Sequence, residues 1–178
     1  MSKKSSDRTL RIVIAAMFAA MIAVMTAFVK INMASGYIHL GDSMIYLAAS
    51  FLPLPYAVAA AAIGGGIADL LVYPETIIYT IIIKSVNALF FSCKGDKLLT
   101  KRNALMTIPS GLVTIVGYSI SKFIRVLLAG GTTPVAFADA LTKIPENSIQ
   151  AIGSALIYIA VAAALDKADI KKRMLRDF

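Results

Sequence analysis

A chain of 178 residues with 58 % apolar side chains, a mean hydropathy of +0.78 and 16 % charged residues is too hydrophobic for a water-soluble core of its size, so it reads as an integral membrane protein. One cysteine, Cys93, excludes an internal disulfide and a multi-cysteine metal site, and one histidine, His39, excludes a His-based metal cluster. A net charge of +8 would point to nucleic acid in a soluble protein; here its distribution assigns it to membrane topology and anionic lipid headgroups, and no nucleic-acid module is visible.

Six apolar runs predict an all-α membrane domain occupying the whole chain, 1–178, with transmembrane helices over 10–28, 43–54, 56–72, 76–93, 104–128 and 144–165. The first has charged flanks like a signal peptide but is too long for one and is followed by no convincing cleavage site, so it is expected to be retained. Ala15, Ala19, Ala23 and Ala27 recur on it every fourth residue, with Ala16 and Ala20 alongside. In lipid such a smooth stripe lets a second helix backbone come close, within the same chain or from a partner. The outer loop over 29–42 carries Lys30, Asn32, Tyr37, His39 and Asp42. Gly41 suits a tight turn there, Asp42 suits a cap on the second helix, and His39 suits a loop hydrogen bond.

The second run is short for a hydrocarbon core that needs about 20 helical residues, so it should be tilted, partly re-entrant, or extended by the preceding loop. Pro53-Leu54-Pro55 then breaks the chain into a hairpin. The third run repeats the small-residue pattern in Ala60, Gly64 and Ala68 and is followed by Tyr73 and Glu75 at the outer turn. On the fourth, Thr80, Lys84 and Asn87 fall on one face with Tyr79 beside them. Lys84 lies about 12 Å along the helix from Thr76, at ~1.5 Å per residue. The fifth places Tyr118, Ser121, Lys122 and Arg125 on a face rising to the outside. A second long outer loop is expected over 129–143, and the sixth run begins with Pro145-Glu146-Asn147 and continues through Gln150, Ser154 and Tyr158.

Orientation follows from the cations. Thirteen of the 18 lysines and arginines precede or open the first run (Lys3, Lys4, Arg8, Arg11), follow the fourth (Lys94, Lys97, Lys101, Arg102) or follow the sixth. An even number of spans places these segments on one side, and the positive-inside rule makes that side, and both termini, cytoplasmic. Polar residues on the fourth, fifth and sixth helices then meet at similar depth in the outer half. A charge at mid-membrane costs ~2.5–3.5 kcal/mol on insertion scales, so such groups face a partner or a hydrated cavity. The structural alternative pairs Lys84 with Glu146 or Asp69, lets Lys122 and Arg125 snorkel, and returns the Thr80 hydroxyl to its own helix backbone. Coincidence on three helices favours a ligand pocket open to the outside.

Nucleophile elbows, phosphate loops and dinucleotide fingerprints are missing, so neither a catalytic site nor a cofactor is expected in this chain, and ATP-driven work would belong to partner chains. A proton-coupled transporter acting alone is the rival reading, with Asp69 or Glu146 as its titrating carboxylate.

The segment Tyr37-Ile-His-Leu-Gly-Asp-Ser43, the short helix after it, Gly64-Gly-Gly-Ile-Ala-Asp69 and the alanine stripe together resemble the substrate-binding (S) components of energy-coupling factor vitamin transporters, nearest the riboflavin-type branch. The resemblance spans essentially the whole chain. It implies a six-helix subunit in a prokaryotic cell membrane that captures a vitamin or related heterocycle from outside, then works with a transmembrane coupling (T) subunit and two ATPases. The docking surface for the T subunit is carried onto Ala15, Ala19 and Ala23. The implied pocket draws on the first outer loop and the last three helices, which gives Tyr37, His39, Asp42, Thr80, Lys84, Asn87, Tyr118, Lys122, Arg125, Glu146, Asn147 and Gln150 as expected binding residues. Tryptophan is absent, so ring stacking falls to tyrosines such as Tyr37, Tyr73, Tyr118 or Tyr158.

Overall fold

Glycine and alanine decide how the first and third helices meet. The computed structural model describes the backbone of residues 3–33 and 36–176, and the side chains of 7–32 and 38–174. Helix α1 (Lys3–Ala27) leads into a hairpin of β1 (Lys30–Met33) and β2 (Gly36–His39), antiparallel with Lys30 opposite His39. Then follow α2 (Gly41–Phe51), α3 (Leu54–Val72), a single 3-10 turn (Pro74–Thr76), α4 (Ile77–Leu89), α5 (Lys101–Leu128), α6 (Thr133–Lys167) and α7 (Ile170–Arg176). Along α1 and α3 the backbones approach so closely that a Cβ on Gly64 would stand 2.6 Å from the Ala19 carbonyl oxygen and 2.8 Å from Ile22 Cβ.

That seam takes up the alanines to which docking of a T subunit was assigned, Ala15, Ala19 and Ala23. Ala19 and Ala23 are 7 % and 8 % exposed, and Ala15 is half-buried against the same core. The alanines of α1 that remain open are Ala16 and Ala20, beside the exposed Val13, Met17 and Val24.

Among the described residues, four helices are long and apolar enough to cross a membrane: Asp7–Ala27 within α1, α3, α5 and α6. At 11 residues, α2 is only about 16 Å long at ~1.5 Å per residue, and ten of its residues are buried. It is wrapped by α1, α3, α4 and α6 and presents little surface to lipid, which is why its shortness is tolerated.

Several boundaries differ from the sequence reading: α1 begins at Lys3 rather than 10, and two others change how the chain is held. Helix α4 stops at Leu89 rather than continuing to 93, and the segment after it is held by side chains instead of helical hydrogen bonds. The Asn103 carboxamide accepts from Ser92 N at 3.0 Å and donates to Ser92 O at 2.8 Å, and Asp166 accepts from the amides of Leu98 and Leu99 at 2.7 and 2.9 Å. Helix α6 starts at Thr133 rather than 144, so the outer loop expected over 129–143 is mostly helix. Pro134 occupies the first turn, where a missing amide costs nothing, and Gly130 at φ 86° provides the left-handed turn that ends α5. At 35 residues α6 is about 52 Å long, more than a ~30 Å hydrocarbon core requires.

Candidate ligand recess

Helices α5 and α6 turn polar residues inward at helical spacing, and at one end of the bundle these line a recess together with His39, the end of α3 and the Pro74–Thr76 turn. His39, Tyr118, Lys122, Arg125, Glu146, Asn147 and Gln150, all expected from the sequence, line it. Asp69, Tyr73, Thr76, Ser121 and Lys143 line it as well. Asp69, Tyr73 and Ser121 carried a signal in the sequence, through their place at the outer turn or on the α5 face. Thr76 and Lys143 did not. Lys143 lies one turn before Asn147, a relation visible only once α6 is known to start at Thr133. The Tyr37 side chain lies outside the described residues; its backbone pairs with Asn32 in the hairpin.

Asp42, Thr80, Lys84 and Asn87 do not line the recess; they form the layer beneath it. Lys84 Nζ donates to Asp42 Oδ1 at 2.5 Å, with both side chains at most 1 % exposed. A buried ammonium needs a countercharge, and the first turn of the buried α2 supplies the near one. The partners expected from sequence are occupied at the mouth: Lys143 Nζ stands 3.2 Å from Glu146 Oε2, and Thr76 Oγ1 donates to Asp69 Oδ2 at 2.6 Å. Nor is Asp42 a cap, because that position falls to Leu40. The other Asp42 oxygen accepts from Gln150 Nε2 at 2.9 Å, while Gln150 Oε1 accepts from His39 N at 3.4 Å, so one amide joins the hairpin to the ion pair. The Tyr118 ring lies over Lys84, with Nζ 5.0 Å from its centroid, and the Tyr118 hydroxyl shares a 3.0 Å hydrogen bond with Thr80.

His39 is buried and its Nδ1 accepts from Gly41 N at 3.0 Å, which requires a neutral ring there. Position 41 has to be glycine, since a Cβ there would fall 1.9 Å from Thr26 Oγ1. Burial, and then the nearby Lys84 charge, push the imidazole from 6.5 down to about 3, against an opposing pull from Asp42. The ring therefore stays neutral throughout pH 5–8, and ligand affinity is expected to show no transition near pH 6.5. Because the folded value lies below the unfolded one, the histidine's contribution to stability is complete above pH 6.5 and declines as pH falls toward 3. Equilibrium binding and thermal unfolding across that range check both statements.

At the mouth, charges alternate. Arg125 pairs with Glu75 and stacks over Tyr73 at 5.7 Å, and Lys122 lies 3.5 Å from Asp139. With Lys143 beside Glu146, every cation of the recess faces a carboxylate. Lys122 and Arg125 thus belong to a charge-balanced rim.

A family model for the ECF-type riboflavin transporter, S component, matches residues 6–167. The chain belongs to that family. A comparison with curated proteins gives no match. As an S component it is a vitamin-binding subunit of a transporter, a multi-pass, largely helical membrane protein and not an enzyme. The S component's recess lies at the Leu128 end of α5 and well before the Lys167 end of α6, away from the cation-rich segments around Lys94–Arg102 and Lys167–Arg173.

Proposed function

We propose that this S component captures riboflavin or a closely related uncharged heterocycle from outside a prokaryotic plasma membrane and passes it inward in company with a T subunit and two ATPases. In this reading α1 to α6 all cross or enter the membrane and both chain ends are cytoplasmic. The supporting observation is the position of the recess, at the end of the bundle opposite the cation clusters that the positive-inside rule assigns to the cytoplasm. Its chemistry suits a flat heterocycle: Tyr73 and Tyr118 supply ring faces, and Asn147, Gln150 and Ser121 supply donors and acceptors for a polar edge. Ser121 is 1 % exposed and its hydroxyl has no hydrogen-bond partner among the described residues, which leaves it free for the ligand. The paired rim favours an uncharged molecule over a phosphorylated one.

Titrating riboflavin fluorescence with the purified chain tests this. Saturable quenching is expected, with flavin mononucleotide bound more weakly. Asn147→Ala, which leaves the core packing intact, is expected to weaken riboflavin binding by roughly two- to twelvefold, the equivalent of ~0.5–1.5 kcal/mol for one hydrogen bond. Unchanged affinity in Asn147→Ala and Ser121→Ala together would remove this recess as the ligand site.

A further inference from the structure

The inward polar residues continue far below the recess as a column of layers, one per helical turn. On α2 the spacing runs Asp42, Tyr46, Ser50; on α4 Lys84, Asn87; on α5 Tyr118, Thr114, Ser110; on α6 Gln150, Ser154, Tyr158. The layer of Asp42, Lys84 and Gln150 is mutually bonded, as described above. A lower layer is equally complete: Ser50 Oγ and Tyr158 Oη lie 2.8 Å apart, Asn103 Nδ2 donates to Ser50 Oγ at 3.2 Å, and Tyr158 Oη donates to Leu98 O at 3.0 Å.

The layer between them is not. Tyr46 Oη, Asn87 Oδ1, Ser110 Oγ and Ser154 Oγ have no hydrogen-bond partner among the described residues, although Tyr46, Asn87, Ser110 and Ser154 are each 0 % exposed. Their neighbours place them together. Ser110 stands beside the Tyr46 hydroxyl, Asn87 Nδ2 donates to Thr114 one turn above Ser110 at 2.8 Å, and the Tyr46 ring meets Tyr158, one turn below Ser154, at 5.8 Å. A floor of rings closes this layer from beneath, with Tyr46 and Phe91 stacked at 4.6 Å.

An orphaned polar group inside a membrane costs several kcal/mol, and four on facing helices would oppose folding unless something satisfies them. We infer that Tyr46, Asn87, Ser110 and Ser154 bind a cluster of internal water molecules, a site separate from the ligand recess and sealed from it by the Asp42–Lys84 pair. The set offers hydroxyls that both donate and accept, plus a carboxamide oxygen, which matches water's two donors and two acceptors. A metal cation suits it less well, because the Lys84 ammonium occupies the next layer up and the four groups carry no negative charge. Water there also bridges α2 and α6 to the other two helices at mid-depth, where Asn87 to Thr114 is the direct bond between α4 and α5.

Radiolytic hydroxyl labelling in isotope-labelled water tests this on the full chain in detergent. Tyr46 should be oxidised despite its burial, and less so in the double variant Ser110→Ala, Ser154→Ala. Ser154→Ala should also lower Tm by about 2–4 °C, because it removes a group that water bridges. An unlabelled Tyr46, or a Tm that rises in Ser154→Ala because an unsatisfied hydroxyl has been relieved, overturns the proposal. A Tm that rises with sodium relative to choline chloride in the wild type but not in Ser154→Ala overturns it in favour of a bound cation.

Discussion

Lys84→Ala is expected to destabilise the detergent-solubilised chain by ~3–5 kcal/mol, because it strands the Asp42 carboxylate in a layer buried from bulk water. At roughly 2–4 °C per kcal/mol for a chain of this length, the thermal transition should fall by about 6–20 °C. The cost arises from an uncompensated charge, not from the pair's own net worth, since burying both ions already consumed most of their attraction. The double variant Asp42→Asn, Lys84→Met should therefore recover most of the loss: the carboxamide still accepts from Gln150 and no charge is left behind. Far-ultraviolet circular dichroism against temperature reads both. A Lys84→Ala protein as stable as the wild type, but with weakened riboflavin binding, would return Lys84 to the ligand site and break the layered description.

The sequence showed that Lys84 is buried and significant, yet not what it touches, and the reason is physical. Depth along one helix follows from residue counting at ~1.5 Å per residue, which puts the polar faces of the fourth, fifth and sixth helices at similar depth, and Lys84 does lie against the Tyr118 ring. Which carboxylate a lysine meets depends on the rotation and spacing of neighbouring helices, which counting does not supply. Asp42 was hidden further by its place two residues into a helix, where a capping role is the ordinary reading. The membrane class and the inward polar faces were legible because lipid imposes long apolar runs and penalises every exception. The start of α6 was not: Pro145 looked like a helix beginning, but Pro134 is the proline in the first turn, and Pro145 sits inside a helix that already continues past it. The outer loop over 29–42 is instead largely the β1–β2 hairpin, tied down where His39 N donates to Gln150 Oε1.

The alanine stripe of α1 separates two surfaces that the sequence could not distinguish. The pattern repeats every fourth residue at 15, 19 and 23 and again at 16 and 20, and both rows are smooth enough for close approach. The seam against Gly64 uses the first row, since the Ala19 carbonyl already borders the space a Gly64 Cβ would take. The second row points outward between Met17 and Val24, and we propose it as the T-subunit docking face. Ala20→Trp should therefore abolish co-purification with the T subunit and ATPases while leaving riboflavin affinity within about twofold, because no residue of the recess lies on α1. Ala19→Trp should instead pry α1 from α3 and lower the yield of folded chain, as overpacking of a tight interface does at a cost of ~1–3 kcal/mol or more. If Ala20→Trp assembles normally while Ala19→Trp folds but fails to assemble, the partner binds the inner row, and α1 must part from α3 when the complex forms.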